Sequence, residues 1–219
     1  MKYTLHTAKK ADWEKPGKKN AWQRLAYRSH GIVTPANIAS LVGGALAMYG
    51  LWLILDGRIV SGLVYLSLGR IADIADGMIA EYTRTKSPIG EMIDATIDKF
   101  VVASALIVLG ALELVPWIII LLIALQNAVN VMISVIAKLR HKALHPSRLG
   151  KVSAAFSWVT IILYPLSDWL QRDAYSASAQ FLKIISLVSF VIYMVLGSQA
   201  TLGYAHVIYK KSGLNRLFR

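Results

Sequence analysis

The sequence predicts an all-α integral membrane protein, with six transmembrane helices and a cytosolic N-terminal amphipathic helix. Three observations carry that expectation. Hydrophobic residues make up 56% of the 219, and the mean hydropathy is +0.51. Apolar runs long enough to span a bilayer recur along almost the whole chain. The 24 Lys and Arg, against 12 Asp and Glu, are clustered between the apolar runs, where loop charge reports topology. There is no cysteine, which excludes disulfides and thiolate metal sites.

The elements follow in order. Residues 1–31 form a basic segment with no short apolar core and small-residue cleavage site, which argues against a cleaved signal peptide. Within it, NAWQRLAYRSHGI places Trp22, Leu25 and Ala26 on one helical face and Arg24 and Arg28 elsewhere on the wheel. Two readings stand: a short helix lying on anionic headgroups, or a solvated basic tail that only sets topology. Residues 32–211 hold the six expected spans, near Ile38–Leu55, Ile59–Tyr82, Pro88–Leu112, Trp117–Ala137, Val152–Leu170 and Phe181–Tyr209. Each is long enough for a hydrocarbon core of ~30 Å. Residues 212–219 form a basic tail.

Six spans put both termini on one side. The N-terminal segment, the loops after the second and fourth spans, and the tail together hold 19 of the 24 basic residues. The opposite loops hold only Arg58 and Arg172, beside Asp56, Glu113, Asp168 and Asp173. The positive-inside rule therefore places both termini in the cytosol, and Trp52, Trp117 and Trp169 fall at the outer ends as an aromatic belt.

Against this background the stretch DIADGMIAEYTRTKSPIGEMIDATID, from Asp73 to Asp98, holds six of the 12 acidic residues. Asp73 and Asp76 share one helix face by their spacing of three, and Asp94 and Asp98 another by their spacing of four. Ser87 suits a helix N-cap and Pro88 the first helical position, so the third span starts there. At ~1.5 Å per residue, Asp94 and Asp98 lie about 9 and 15 Å into that helix, and Asp76 and Asp73 about 13 and 18 Å back from Thr85. Two antiparallel helices thus bring four carboxylates to one level near the cytosolic interface. Carboxylates in spanning helices are costly without a partner. Arg70 and Lys99 are the nearby cations, too few to neutralise four acids. A hard divalent cation, Mg²⁺ or Mn²⁺, resolves the charge and commonly joins carboxylates to a substrate's phosphates. Gly77, Ala80 and Gly90 leave room for a ligand close to the backbone. The alternative is that the acids pair with cations across the bundle or line a passive vestibule.

These residues resemble the CDP-alcohol phosphotransferase (phosphatidyltransferase) family, whose pattern is D-x2-D-G-x2-A-R-x8-G-x3-D-x3-D. Asp73, Asp76, Gly77, Ala80, Gly90, Asp94 and Asp98 match it with spacings intact. Asn37 and Ser40 in TPANIAS, and Gly150-Lys151 in RLGKVS, extend the resemblance. It implies a membrane enzyme of phospholipid biosynthesis that transfers a substituted phosphate from a CDP-linked donor such as CDP-diacylglycerol to an alcohol, releasing CMP. It implies that Asp73, Asp76 and Asp94 bind Mg²⁺ or Mn²⁺, that Asp98 is the general base, and that Gly77, Ala80, Gly90, Asn37 and Ser40 line the CDP site. A homodimer is implied too. Asp98-Lys99 is similar to the phosphatidylglycerophosphate type, and the chain as a whole resembles phosphatidylglycerophosphate or phosphatidylinositol-phosphate synthases.

One position departs: the pattern's Arg is Glu81. Arg84 one turn on, or Arg70, supplies the missing guanidinium; or Glu81 makes a different contact and marks a divergent substrate; or the enzyme is impaired and serves as a partner subunit. For the acceptor, the loop KLRHKALHPSRLGK offers Arg140, Arg148 and Lys151 as phosphate ligands, favouring glycerol 3-phosphate or inositol phosphate. The bland reading is that these cations only enforce topology. Gln126, Asn130 and Ser134 form a polar stripe expected to hydrogen-bond between helices. A divalent-cation transporter is the rival from another class, disfavoured because no acidic path continues through the outer halves of the spans. Nucleic-acid binding is disfavoured because the basic residues are spread over the inner loops.

Overall fold

A computed structural model describes residues 20–139, 147–172 and 176–213. Among these residues the chain is all-helical, without strands. The elements are α1 (Ala21–Arg28), α2 (Pro35–Leu55), α3 (Ile59–Thr83), α4 (Pro88–Ala111), α5 (Trp117–Leu139), α6 (Arg148–Arg172) and α7 (Ser176–Gly213). Four carry segments long and apolar enough to cross a membrane: α2, Trp117–Ala137 of α5, α6, and Ala177–His206 of α7. In the other two long helices, α3 and α4, the apolar run is broken by the charged residues of the acidic stretch. The chain divides into two compact units, Met1–Ser104 and Ala105–Arg219.

In the first unit the helix starts are built by side-chain caps. Asn20 caps α1, accepting from Gln23 N at 2.7 Å, while the Gln23 side chain accepts from Asn20 N at 3.0 Å. Thr34 caps α2, accepting from Asn37 N at 3.1 Å, with Pro35 in the first turn. That cap starts α2 three residues before the apolar run does. Ser87 caps α4, accepting from Gly90 N at 2.9 Å. Helix α3 ends where Arg84 turns left-handed (φ 54°), its N–H reaching Glu81 O and the next N–H, of Thr85, reaching Ala80 O. Helix α1 is amphipathic: Ala26 is buried, while Trp22 and Leu25 remain exposed. The Asn20 amide also donates to Thr83 O at 3.4 Å, tying α1 to the end of α3.

Helices α2 and α3 cross at glycine-to-glycine contacts. A Cβ at Gly62 would stand 2.5 Å from Gly50 O, and one at Gly69 would stand 2.6 Å from Gly43 O. Without side chains between them the two backbones approach closely, as small-residue interfaces in membranes allow. This contact fixes how α2 meets α3, and therefore sets Ser40 of α2 against Asp76 of α3.

In the second unit α6 and α7 are joined by buried hydroxyls. Ser153 donates to Tyr193 O at 3.1 Å, and Thr160 to Ser186 O at 3.4 Å. The expected polar stripe on α5 meets α7: Gln126 donates to Thr201 Oγ1 at 2.8 Å, and Thr201 donates to Asn130 Oδ1 at 2.7 Å. Ser134 departs from that reading. Its hydroxyl donates to Asn130 O of its own helix.

Candidate active site

The site is assembled wholly within the first unit, from α2, α3, the turn after α3 and the first turns of α4. Asp73, Asp76 and Asp94 each bring a carboxylate oxygen within 4.8 Å of the other two. Two come from one face of α3 and the third from α4, as their spacings predict. Ser40 donates a hydrogen bond to Asp76 Oδ2, which orients that buried carboxylate. Asp94 Oδ1 is buried and has no hydrogen-bond partner among the described residues. An orphaned buried carboxylate oxygen is strongly unfavourable unless something else satisfies it. Three oxygen donors at this separation, from carboxylates of which one carries an orphaned oxygen, are a donor set that fits a hard divalent cation.

The fourth aspartate is held differently. Arg70 Nη1 donates to Asp73 Oδ2 and, at 2.9 Å, to Asp98 Oδ1. One guanidinium thus bridges α3 and α4 and links Asp98 to the three-aspartate group. The four acids are therefore not equivalent: two share an arginine, one has a serine, and one carries the orphaned oxygen. Of the alternative in which the acids pair with cations, the described residues show pairs at Asp73 and Asp98.

Beside the acids lies a cavity of about 210 Å³. It is lined by Ala36, Asn37, Ser40, Asp76, Gly77, Ala80, Thr85, Lys86, Ser87, Gly90, Glu91 and Asp94. All five residues expected to line a CDP site are there, together with Asp76 and Asp94, two of the three aspartates. The glycines act in different ways. A Cβ at Gly77 would meet nothing within 4 Å, so its missing side chain is open space in the cavity. A Cβ at Gly90 would stand 2.6 Å from Asn37 Oδ1. Asn37 cannot easily give way, because its amide nitrogen donates to Gly31 O at 3.1 Å and Ile32 O at 2.8 Å.

Neither arginine expected to replace the guanidinium missing at Glu81 lines the cavity. Arg84 is the left-handed cap of α3, and Arg70 is engaged with Asp73 and Asp98. Glu81 instead pairs with Lys86, Nζ to Oε1 at 2.6 Å. Lys86, which by sequence is one of the basic loop residues that report topology, lines the cavity. Its spacing of five from Glu81 runs across the helix end, so helix periodicity gives no sign of the pair. Glu91, in the first turn of α4, is exposed and also lines the cavity. Arg148 and Lys151 stand in the first turn of α6, in the second unit, and Arg140 lies outside the described residues.

Comparison with known proteins agrees with the class this geometry defines. The model of the CDP-alcohol phosphatidyltransferase family matches residues 33–195, and the chain belongs to that family. It is thus a transferase of phospholipid synthesis that moves a phosphatidyl group from a CDP-linked lipid. A cardiolipin synthase (CMP-forming) of Streptomyces coelicolor (strain ATCC BAA-471 / A3(2) / M145) is 25% identical over 158 residues, covering 68% of this chain and 74% of the relative. No solved structure matches.

Proposed function

We propose that the chain transfers the phosphatidyl group of CDP-diacylglycerol, or of a closely related CDP-alcohol, to an alcohol acceptor and releases CMP. The observation that carries this reading is the convergence of Asp73, Asp76 and Asp94 beside a cavity left open at Gly77. Asp73, Asp76 and Asp94 would hold Mg²⁺ or Mn²⁺, which offsets the charge of the donor's diphosphate and of the transition state. Ser40 keeps Asp76 oriented, and Arg70 keeps Asp98 at a fixed place beside Asp73. Asp98 accepts the proton of the acceptor hydroxyl. The hydroxyl oxygen forms the new bond to phosphorus as the bond to CMP breaks. Asn37, Ser40, Gly77, Ala80 and Gly90 enclose the CDP moiety.

The six long helices act as six spans, with both termini and the site on the cytosolic side of the cell membrane and α1 resting on the headgroups. The charge asymmetry of the loops and the exposed Trp22 and Leu25 support that placement. The protein works as a homodimer, on the resemblance alone. The acceptor is a phosphorylated alcohol such as glycerol 3-phosphate or inositol phosphate, with Arg148, Lys151 and Arg140 as its phosphate ligands. A second reading is favoured by the relative's name. Cardiolipin carries two phosphatidyl groups on one glycerol, so a phosphatidyl transfer that makes it ends on the hydroxyl of phosphatidylglycerol.

The test is CMP release by the purified chain with Mg²⁺ or Mn²⁺ and CDP-diacylglycerol, offered each acceptor in turn. Asp98→Asn is expected to slow release by at least about 100-fold, the contribution of a positioned general base. A chelator is expected to abolish release. No CMP with any acceptor, or an Asp98→Asn rate equal to that of the unmodified chain, sinks the proposal.

A further inference from the structure

The α3–α4 turn is held more firmly than a surface turn needs to be. Thr85 and Ser87 are only 2% and 5% exposed. Thr85 shares a 2.7 Å hydrogen bond with Thr83, and its N–H is bound to Ala80 O. Ser87 donates to Gly31 O and caps α4. Lys86 sits between these two buried neighbours and is itself exposed, on the cavity wall. Among the described residues lining that cavity, Lys86 is the one Lys or Arg. Its ammonium is held by Glu81, which occupies the position where the family pattern carries an arginine.

We infer that Lys86, positioned by Glu81, is the cation that contacts the donor's phosphates in this chain, in place of the missing arginine. The inference rests on the transferase reading above and deepens it. A charge at position 81 is not lost but displaced by one step: the carboxylate at 81 holds the lysine, and the lysine faces the ligand. An ammonium is a compact point charge on a long flexible stem, and a phosphate can draw it away from an exposed carboxylate. The bland alternative is an exposed ion pair that does nothing measurable. It accounts for the distance between Lys86 and Glu81. It does not account for a pinned turn that sets the lysine on the wall of the cavity.

Equilibrium binding of CDP to the purified full chain with Mg²⁺ decides between them. Lys86→Gln is expected to weaken CDP binding by about tenfold or more, the scale of one charge-assisted contact, while Lys86→Arg stays within about threefold. Arg84→Gln removes a neighbouring cation that does not line the cavity, and is expected to bind within about twofold of the unmodified chain. Glu81→Gln is expected to add nothing once Lys86 is already Gln, because it acts through that lysine. Glu81→Arg combined with Lys86→Gln is expected to recover binding, since it returns the cation to the family's position. The inference is overturned if Lys86→Gln binds CDP as the unmodified chain does, if Arg84→Gln loses as much, if the combined variant recovers nothing, or if the unmodified chain does not bind CDP. CMP release from CDP-diacylglycerol, measured on the same preparations, keeps the two readings apart. Lys86-dependent CDP binding without any CMP release sinks the transferase alone. CMP release with Lys86-independent binding sinks the lysine alone.

Discussion

Gly77 and Gly90 lie on the same cavity, and one added methyl group should separate their roles. At Gly77 a Cβ meets nothing within 4 Å, and the residue is inside a helix. Ala is preferred to Gly there by about 0.5–1 kcal/mol. Gly77→Ala should therefore raise the unfolding temperature in detergent while weakening CDP binding, because the methyl group takes space the ligand needs. A parallel loss of stability and binding would show that Gly77 is structural. At Gly90 the methyl group would meet Asn37 Oδ1 at 2.6 Å, against a side chain tied to Gly31 and Ile32. Gly90→Ala should lower stability by about 1–3 kcal/mol, the usual effect of overpacking. At this scale the spaced aspartates and glycines were legible because helix geometry converts their intervals into faces. Lys86 was not. Its role depends on a turn whose path is set by hydrogen bonds to residues as distant in sequence as Gly31. The division of the acids was equally hidden: the Arg70–Asp73 contact is a spacing of three, but Arg70–Asp98 exists only once α3 and α4 are packed.

The helices themselves were legible in existence and nearly in extent, since long apolar runs flanked by Thr-Pro and Ser-Pro leave few choices. The differences are at polar ends: α7 runs Ser176–Gly213 where the sequence predicts Phe181–Tyr209, and two helices start early. Helix α2 begins at Pro35 rather than Ile38, and α6 at Arg148 rather than Val152, because capping by Thr34 and the Ser147–Gly150 bond extends each helix beyond its apolar part. The pairing of α3 with α4 was legible from the aspartates, but that of α2 with α3 was not. Gly43, Gly50, Gly62 and Gly69 advertise close approach but not to which helix. Their contacts make the α2–α3 crossing a distant support of the site, since Gly62 stands about 21 Å along α3 from Asp76. A Cβ at Gly62 would strike Gly50 O and Ile54 Cγ1, both at 2.5 Å, and a backbone carbonyl cannot rotate aside. Gly62→Ala is expected to destabilise the protein by about 1–3 kcal/mol and to reduce CMP release by altering the Ser40–Asp76 contact. Gly203→Ala, where a Cβ meets nothing within 4 Å, should leave both unchanged or raise stability slightly. Equal losses at the two positions would remove the crossing as the cause.

For the whole molecule the proposed six-span topology is tested at α3 and α4. They are the helices whose charges break the apolar run, and the site lies on them. The loops at Arg58 and Glu113 face the same side whether or not the pair crosses, so they cannot decide. The turn at Arg84 can, because it changes sides with the answer. The chain has no cysteine, so single cysteines report without background. With six spans, Arg58→Cys should react with a membrane-impermeant maleimide in intact expressing cells, while Arg28→Cys and Arg84→Cys react only after the membrane is opened. If Arg84→Cys instead labels alongside Arg58→Cys, α3 and α4 return without crossing and the site faces the outside. The positive-inside distribution favours the first outcome. Arg84 and Lys86 belong with the basic N-terminal segment and with Arg148 and Lys151, and holding all of them on one face satisfies the charge bias of the entire chain at once. On the function proposed above, that face is also where a water-soluble acceptor and a membrane-embedded CDP-lipid would both reach the aspartates.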